Sequence, residues 1–271
     1  MSKITVPKIK RMKGKKRITA LTAYDFLFAR ILDRAGIDII LVGDSIATTV
    51  QGLSSTLPVS MEEMLYHVKI VSRGVENSLL IGDMPFLSYQ ASESEAIKNA
   101  GLLLKAGAEA VKLEGGERIA PLVEKLVSSG IPVMGHIGLT PQSVNLFGGY
   151  KIQGKTQSKA ERIIKDAVAL QEAGVFSIVL EGMPEEIAKE ITETVQVPTI
   201  GIGAGRYCDG QILVITDILG LDPDFIPRFV KRYANLYEVV GDAVKKYISD
   251  VENGEFPAEE NVFHLKEEKK Q

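Results

Sequence analysis

Five short apolar runs of this chain end in a side chain that can bind a metal ion or transfer a proton. Each run has the length of a β-strand and is followed by loop residues and then by a helical pattern. The terminal side chains are Asp44, Asp83, Glu114, His136 and Glu181. Polar residues at the carboxyl ends of successive parallel strands are typical of an active site.

Three of these residues are carboxylates from the second, third and fourth strands. In a barrel, Asp44, Asp83 and Glu114 would lie side by side, and adjacent carboxylates repel one another unless they are protonated or bind a cation. Oxygen ligands without cysteine or paired histidines suit Mg²⁺. Alternatively, each acid caps the helix that follows it or lies exposed in a loop. That alternative is weaker for three successive strand ends than for one.

Lys112 lies two residues before Glu114 on one predicted strand, so both side chains face the same side. We therefore expect Lys112 inside the barrel, where it forms a structural salt bridge with the acids or binds a substrate carboxylate or enolate oxygen. Glu181, on the sixth strand, would lie across the mouth as a general base or as a solvated strand end. His136 is a base, a metal ligand, a donor to substrate or a structural side chain.

The elements that would position these residues alternate between strand and helix, beginning with the strand ITALTAYD and ending with an eighth strand, QILVITDILGL. This alternation implies parallel pairing, and eight units close a barrel. We predict a (β/α)8 TIM barrel, one domain over residues 1–271 with a C-terminal helical extension and a short polar tail. An open doubly wound sheet is the alternative, but the turn AYDFLFAR lacks the glycines of a dinucleotide site.

Three further segments carry expectations. The connection from Thr140 to Ser158 is long, polar and rich in glycine, which suggests a cover over the active site. The glycines of GIGAG, at positions 201, 203 and 205, resemble a barrel phosphate loop, although glycine also eases close packing. After Pro223 a helical pattern runs to about Asn253. Its aromatic residues are spaced by four on one face, and they are Phe225, Phe229, Tyr233 and Tyr237.

Composition restricts the class of partner and the compartment. The 271 residues carry a net charge of −3, which provides no broad basic field for nucleic acid, so a small-molecule partner is expected. Cys208 is the only cysteine, which excludes an internal disulfide, and we treat its thiol as inert. The basic N-terminus lacks the apolar stretch of a secretory signal, and no apolar run approaches the roughly 18 residues of a membrane span. These features favour a cytoplasmic protein that does not enter a membrane.

Seven short strings together carry a resemblance to a known family. In chain order they are TAYD, LVGDS, GDMPF, VKLEGG, PVMGHIGLTPQS, VLEG and IGIGAG. Each string is short, but the ordered set is specific and covers most of the predicted barrel. The chain resembles the ketopantoate hydroxymethyltransferases, TIM barrels of the phosphoenolpyruvate/pyruvate-like superfamily.

The resemblance implies an enzyme of pantothenate and coenzyme A biosynthesis. Such an enzyme transfers a hydroxymethyl group from 5,10-methylenetetrahydrofolate to 3-methyl-2-oxobutanoate, which gives 2-dehydropantoate through an enolate. It also implies Mg²⁺ as the cofactor and a homodecamer as the assembly. Its ligands would be the 2-oxo acid and the folate.

Position by position, the resemblance implies a role for each of seven side chains. Asp44 and Asp83 would ligate the metal directly, and Glu114 would hold it through water. Glu181 would be the base that removes the C3 proton. The residues that contact the 2-oxo acid would be Asp44, Ser45, Asp83, Lys112 and His136.

Two other functions are compatible with the same residues. A magnesium-dependent 2-oxo acid lyase or mutase of the isocitrate lyase type would share the acids. Such enzymes usually use a cysteine on a catalytic loop, and Cys208 comes too late in the chain for that role. A non-catalytic binder would use the acids as helix caps, but a lysine buried beside three carboxylates is a costly scaffold.

Overall fold

A closed barrel of eight parallel strands dominates the computed structural model, which describes residues 2–224 and 226–265. The strands follow one another around the barrel in chain order, and β8 closes it by pairing with β1. The predicted fold class is therefore confirmed. The strands are β1 (Ile18–Thr22), β2 (Ile39–Val42), β3 (Leu79–Asp83), β4 (Ala110–Glu114), β5 (Val133–Gly138), β6 (Ser177–Glu181), β7 (Thr199–Ile202) and β8 (Gly210–Leu213).

Helices precede, connect and follow the strands. They are α1 (Val6–Met12), α2 (Phe26–Ala35), α3 (Ile46–Thr49), α4 (Met61–Ser72), α5 (Glu93–Lys105), α6 (Ala120–Ser128), α7 (Val144–Phe147), α8 (Gln157–Glu172), α9 (Glu185–Thr194), α10 (Ile215–Leu219) and α11 (Leu236–Glu252). Short 3-10 turns lie at Glu117–Ile119, Pro141–Ser143 and Glu259–Asn261. Helix α4 begins with a capping box formed by Ser60 and Glu63. No helix among the described residues is both long and apolar enough to cross a bilayer.

The barrel interior is apolar near the amino ends of the strands and polar at the carboxyl ends of several of them. Alternate residues point inward, and those nearer the amino ends form an apolar core that includes Ile39, Leu79 and Ile200. Further along, the inward positions are polar. Asp83 of β3 pairs in register with Lys112 of β4, and Glu114 of β4 pairs with His136 of β5. The strand register thus places four polar groups on the carboxyl side of one continuous core.

Helix α1 fills the amino end of the barrel, a feature that the sequence analysis does not predict. Ile9 and Met12 are buried in the same apolar cluster as the inward residues of the strands. Lys13 Nζ lies 2.8 Å from Asp209 Oδ2, and Lys16 Nζ lies 2.8 Å from Asp38 Oδ1. The basic residues of the N-terminal segment therefore hold it against the barrel.

Two connections differ from the predicted alternation of strand and helix. The residues between β7 and β8 form a loop without a helix, so the seventh unit is incomplete. The predicted eighth strand is also shorter than QILVITDILGL, because β8 ends at Leu213 and the next residues form α10. The N–H of Ile215 donates to Thr22 Oγ1, 3.1 Å away, which replaces strand pairing at that point.

The chain divides into two compact units. One comprises the residues up to Ile215 together with Arg228–Val230, and it contains the whole barrel. The other comprises the remaining described residues, including α11. The assignment of residues 1–271 to a single domain stays a prediction. Most of the predicted polar tail, residues 266–271, lies outside the described residues.

The second unit corrects the predicted C-terminal helix. Helix α11 begins at Leu236 rather than soon after Pro223, so Phe229 and Tyr233 are not helical, and Phe225 lies outside the described residues. Pro227 disfavours helical geometry in the residue before it. The N–H groups of Tyr233 and Ala234 donate to the Ile218 carbonyl, so they are not available for a helix of their own. The predicted aromatic stripe is therefore wrong.

Candidate active site

A pocket at the carboxyl end of the barrel contains every side chain that the sequence analysis selects for chemistry. The apolar part of its wall comes from inward strand residues, and the polar part comes from strand ends and the loops after them. The polar lining residues are Thr22, Asp44, Ser45, Thr56, Asp83, Lys112, Glu114, His136 and Glu181. The strands before these residues are buried apolar segments, so the polar groups must project from their ends.

Lys112 lies at the centre of the acids. Its Nζ is 2.8 Å from Asp83 Oδ1 and 3.7 Å from Glu114 Oε1. All three side chains are at most 5% exposed. Lys112 faces the barrel interior, as the sequence analysis predicts, because its side chain lines the pocket beside these two acids.

Asp44 lies two residues beyond the end of β2 and is also buried. Its backbone N–H donates to Asp83 Oδ2 over 3.2 Å, which places the two aspartates next to each other. A Cβ at position 43 would lie 2.9 Å from Ser45 Oγ, so Gly43 leaves room for the Ser45 hydroxyl. Ser45 in turn lies 2.8 Å from the hydroxyl of Tyr24, and it is only partly buried.

His136 connects the acid cluster with the opposite side of the pocket. Its Nδ1 lies 3.5 Å from Glu114 Oε1 and 3.3 Å from Lys112 Nζ, and its Nε2 lies 3.1 Å from Glu181 Oε2. The Glu181 side chain is 17% exposed, whereas the Glu114 side chain is 2% exposed. Glu181 is therefore the carboxylate that a molecule in the pocket can reach.

Burial and mutual repulsion shift the pKa values of the acids. Burial, followed by the charges of Asp83 and Glu114, raises the pKa of Asp44 well above its usual range. Burial also raises the pKa of Asp83, although Lys112 opposes the shift. Burial acts in the same direction on Glu114, but its hydrogen bond with His136 and the charge of Lys112 outweigh it, so its pKa is lowered. The two aspartates are therefore the acids that an added cation would stabilise most.

The bases of the cluster are held in their charged forms. Burial lowers the pKa of Lys112, but the charges of Asp83, Glu114 and Asp44 outweigh it, so the pKa lies above the usual value. Burial and Lys112 lower the pKa of His136, yet its bonds with Glu114 and Glu181 raise it to about 9. At neutral pH this pKa favours the imidazolium, whose Nδ1 and Nε2 lie near Glu114 and Glu181 respectively. This state does not suit a general base.

The donor set fits a hard divalent cation. In the described part of the chain, no group of three or more His, Cys, Asp or Glu side chains is arranged to hold a metal ion. Mg²⁺ does not require such a group, because it commonly takes one or two carboxylates and keeps several waters. Asp44 and Asp83 supply adjacent carboxylates whose pKa values are raised, and both line the pocket. The residues present therefore fit Mg²⁺ better than a metal that needs histidine or cysteine ligands.

Comparison with known proteins identifies the family. A family model described as ketopantoate hydroxymethyltransferase matches residues 3–259. The chain belongs to the ketopantoate hydroxymethyltransferase family. This match confirms the resemblance carried by the seven strings, and it makes the chain an enzyme and a transferase.

Three curated relatives support the family assignment over nearly the whole chain. The protein of Pseudothermotoga lettingae is 60% identical over 261 residues, which cover 96% of this chain and 98% of the relative. The protein of Thermotoga maritima is 58% identical over 260 residues, 96% of each chain. That of Clostridium beijerinckii is 52% identical over 267 residues, 98% of this chain and 97% of the relative. All three are named 3-methyl-2-oxobutanoate hydroxymethyltransferase.

Solved structures of other enzymes share this barrel fold at low sequence identity. A phosphonopyruvate hydrolase in complex with oxalate and Mg²⁺ aligns with a TM-score of 0.62 at 13% identity, covering 96% of this chain and 93% of that one. A 2,3-dimethylmalate lyase, a member of the PEP mutase/isocitrate lyase superfamily, aligns with a TM-score of 0.60 at 14% identity, covering 97% and 93%. At this identity the likeness shows the fold alone.

Two residues of this hydroxymethyltransferase site are missed by the sequence analysis. Gln142 lies inside the string PVMGHIGLTPQS but receives no role there, and Tyr89 belongs to none of the strings. Gln142 Nε2 donates to Asp44 Oδ2 over 3.0 Å, and its backbone N–H donates to Glu114 Oε2 over 3.0 Å. The Tyr89 hydroxyl donates to Gln142 Oε1 over 2.8 Å. The string was a sequence signal for Gln142 alone, and Tyr89 had none, because both residues lie in connections between strands and helices.

Tyr150, in the predicted cover, lies close enough to the site for its acids to affect it. Tyr150 is 54% exposed, and burial together with the charges of Asp44, Glu181 and Glu114 raises its pKa. Its loop follows α7 and leads to α8, within the connection that the sequence analysis interprets as a cover. The connection is not wholly irregular, because it contains α7 and a 3-10 turn.

Two predicted features are absent from the pocket lining. The glycines of GIGAG are explained by close packing: Gly203 has a φ of 59° and a Cβ there would lie 2.9 Å from the Phe229 ring, while a Cβ at Gly205 would clash with Glu185. Cys208 is buried, and burial raises the pKa of its thiol. These placements agree with the packing alternative for the glycines and with an inert thiol.

Proposed function

We propose that this enzyme transfers a hydroxymethyl group from 5,10-methylenetetrahydrofolate to 3-methyl-2-oxobutanoate, which gives 2-dehydropantoate for pantothenate and coenzyme A biosynthesis. Family membership supports the overall reaction. One observation carries the mechanism: a continuous series of contacts runs from Asp83 through Lys112, Glu114 and His136 to Glu181. It connects carboxylates suited to a cation with a carboxylate suited to removing a proton.

The acid cluster would hold Mg²⁺ in this proposal. Asp44 and Asp83 would bind the ion directly, and Glu114 would bind it through water. When bound, the ion acts as a Lewis acid that stabilises negative charge on the keto oxygen of the substrate. The raised pKa values of the two aspartates support their assignment, since a neighbouring cation favours their ionised forms.

Lys112 and Ser45 would bind the 2-oxo acid. Lys112 is buried and charged, so it provides a fixed positive charge next to the position where the enolate develops. The Ser45 hydroxyl is held by Tyr24 at the edge of the pocket and can donate to a substrate oxygen. Both residues therefore stabilise the oxygens of the substrate and leave its C3 free to react.

Glu181 would remove the C3 proton. The C–H electron pair then moves into the C2–C3 bond, and C3 forms a new bond to the methylene carbon of the folate, whose bonds to nitrogen break. The overall reaction consumes one water: its oxygen becomes the product hydroxyl, and its two hydrogens and the C3 proton are shared between that hydroxyl and the two released folate nitrogens. His136 Nε2 lies 3.1 Å from Glu181 Oε2 and would hold that carboxylate in place by charge, while the exposed part of Glu181 faces the pocket. Glu181 is thus the catalytic base, and His136 positions it.

Proton exchange at C3 tests this mechanism without folate. In deuterated buffer, 3-methyl-2-oxobutanoate should lose its C3 proton signal in NMR when enzyme and Mg²⁺ are both present. Glu181→Gln keeps the size of the side chain but cannot accept the proton, so we expect the exchange rate to fall about 10²- to 10⁴-fold. Glu185→Gln is the matched control, because Glu185 lies outside the pocket lining and pairs with Arg206.

Each outcome of the exchange experiment supports or contradicts a specific point. Metal-dependent exchange that Glu181→Gln loses and Glu185→Gln keeps supports the proposed base. Exchange that survives in Glu181→Gln contradicts the role of Glu181. A lyase or mutase of the isocitrate lyase type should leave the C3 proton in place, and the likeness to such enzymes is one of fold alone. A wild-type protein that exchanges nothing would overturn the transferase mechanism.

We also propose a cytoplasmic homodecamer. Helix α11 carries exposed apolar side chains along its length, including Val240, Val244 and Ile248, and none of its residues is buried. Such a face is the kind of surface that a subunit contact covers. Sedimentation of the purified protein measures the assembly, and a monomer would contradict the proposal. The lone buried Cys208 is compatible with a reducing compartment.

A further inference from the structure

Gln142 contacts two acids that come from different strands. Its side-chain Nε2 donates to Asp44 Oδ2, and its backbone N–H donates to Glu114 Oε2, each over 3.0 Å. Gln142 is 5% exposed, so these bonds are shielded from water. One residue therefore connects the loop after β5 with the acids that follow β2 and end β4.

The orientation of the Gln142 amide is fixed by its partners. Nε2 donates to two acceptors, Asp44 Oδ2 and the Met84 carbonyl oxygen, the latter at 2.9 Å. Oε1 has no hydrogen to donate, so it could not take the place of Nε2 beside these two oxygens. Oε1 accepts from the Tyr89 hydroxyl over 2.8 Å. The Tyr89 hydroxyl also accepts from the Glu114 backbone N–H over 3.2 Å, so it holds the amide and the end of β4 together. A flipped amide would lose these bonds and face its oxygen toward a carboxylate.

This arrangement opposes the repulsion between the acids. Asp44, Asp83 and Glu114 raise one another's energy when all three are ionised, and a carboxylate without a restraint would turn away from its neighbours. Gln142 donates to the two outer acids while Lys112 binds Asp83 between them. The three carboxylates are thereby held together before any cation binds.

We propose that Gln142 is a positioning residue that fixes Asp44 and Glu114 for the divalent ion, and that Tyr89 sets the orientation of its amide. The inference rests on the proposed function, because it assumes that these acids bind the ion. Gln142 also fixes the first residues of the predicted cover in place. The turn Pro141–Ser143 is anchored to the site through Gln142, so opening of the cover would involve the residues after that turn.

The test measures metal affinity rather than turnover. Purified variants are titrated with Mn²⁺, which prefers the same oxygen ligands as Mg²⁺, and the free ion is followed by electron paramagnetic resonance. Gln142→Met keeps the length of the side chain and the backbone N–H but removes both amide donors. We expect its Mn²⁺ dissociation constant to rise about 10- to 100-fold, as for other residues that orient metal ligands. Tyr89→Phe should raise it by roughly 3- to 10-fold, since Gln142 keeps its donors.

Gln90→Met is the matched control. Gln90 is exposed and contacts Gln142 Oε1 at 3.4 Å but contacts neither acid, so its removal should leave the dissociation constant unchanged. Metal-free unfolding of each variant separates folding from affinity. The inference would be overturned if Gln142→Met unfolded at a lower urea concentration but bound Mn²⁺ as tightly as Gln90→Met does. Gln142 would then have a structural role only.

The experiment also distinguishes the inference from the proposed function. If the wild type does not bind Mn²⁺ in competition with Mg²⁺, the proposed function and the positioning role of Gln142 are both overturned. If the wild type binds the ion and both Gln142→Met and Tyr89→Phe bind it equally well, only the positioning role fails. If Gln142→Met does not fold, Tyr89→Phe carries the same test against the Gln90→Met control.

Discussion

The two ends of the barrel both bury aspartates but compensate their charges differently. At the amino end, Asp38 lies 2.8 Å from Lys16 and Asp209 lies 2.8 Å from Lys13, so each acid has a lysine of its own. At the carboxyl end, Asp44, Asp83 and Glu114 share Lys112, which lies within salt-bridge distance of the last two. The same residue types therefore give compensated pairs at one end and an excess of carboxylates at the other.

The backbone makes the contrast sharper. At the amino end one arrangement occurs twice: Asp38 accepts from the N–H and hydroxyl of Thr19, and Asp209 accepts from the N–H and hydroxyl of Thr199. Each aspartate immediately precedes a strand and binds the first residues of a neighbouring one. Such bonds fasten adjacent strands, so these acids contribute to folding.

At the carboxyl end, hydrogen bonds do not compensate the burial of the aspartates. The pKa values of Asp44 and Asp83 are raised, mainly by burial, with repulsion from the neighbouring acids adding to the shift. Their ionised forms are favoured only when more positive charge arrives. The comparison thus separates acids that stabilise the fold from acids that are available to a ligand, and substitution at each end should show the difference.

The largest effect is expected from Asp83→Asn. The amide keeps the shape of the side chain but removes a proposed metal ligand, so C3 exchange should fall about 10³-fold, since the ion contributes several kcal/mol of stabilisation. Lys112 keeps Glu114 as a partner and the repulsion with Asp44 disappears. The free energy of unfolding without metal should therefore change by no more than about 1 kcal/mol. NMR exchange and urea unfolding measure the two quantities, and a stable variant with full exchange would contradict the assignment of Asp83.

Asp209→Asn should give the opposite pattern. It leaves Lys13 without its carboxylate and weakens the bonds to Thr199 and Gly14. We expect the free energy of unfolding in urea to fall by about 3 kcal/mol, the cost of removing one partner of a buried ion pair. The exchange rate per folded molecule should stay that of the wild type, because the substitution lies at the other end of the barrel. A loss of exchange without a loss of stability would contradict the separation of the two ends.

The sequence predicted the carboxyl end better than the amino end, for a physical reason. Strand residues alternate in direction, so Lys112 and Glu114 could be placed on one face from their spacing alone. Asp44 after β2 and Asp83 at the end of β3 were visible because each ends an apolar run. Asp38 and Asp209 also border strands, but they precede them, and their lysine partners lie in an N-terminal segment whose position depends on packing.

The parts that the sequence did not predict depend on tertiary contacts or on proline. Helix α1 has seven residues, too few for a clear periodic signal, and it is stabilised by burying Ile9 and Met12 in the barrel core. Gln142 reaches the acids because a loop folds back over the barrel mouth, which no local pattern encodes. The helix predicted after Pro223 had the right spacing of apolar residues, but Pro227 and the bonds to the Ile218 carbonyl override that pattern.

Asp33 extends the comparison to the pH dependence of stability. Burial raises its pKa, but hydrogen bonds from Ser78 and Asn77, just before β3, outweigh this and lower it from 3.8 to about 2. Because the folded pKa is the lower one, the stabilisation is fully present above the unfolded value and is lost as the pH falls toward the folded value. The shift corresponds to about 2 kcal/mol.

Asp33→Asn tests this smallest effect. The amide cannot ionise and offers one acceptor oxygen in place of two, so the variant should be less stable than the wild type by about 2 kcal/mol near neutral pH. The difference should shrink as the pH falls from about 4 to about 2, because the wild-type carboxylate is protonated over that range. Urea unfolding of both proteins across this range measures it. A difference that does not depend on pH would show that Asp33 acts through packing rather than through its charge.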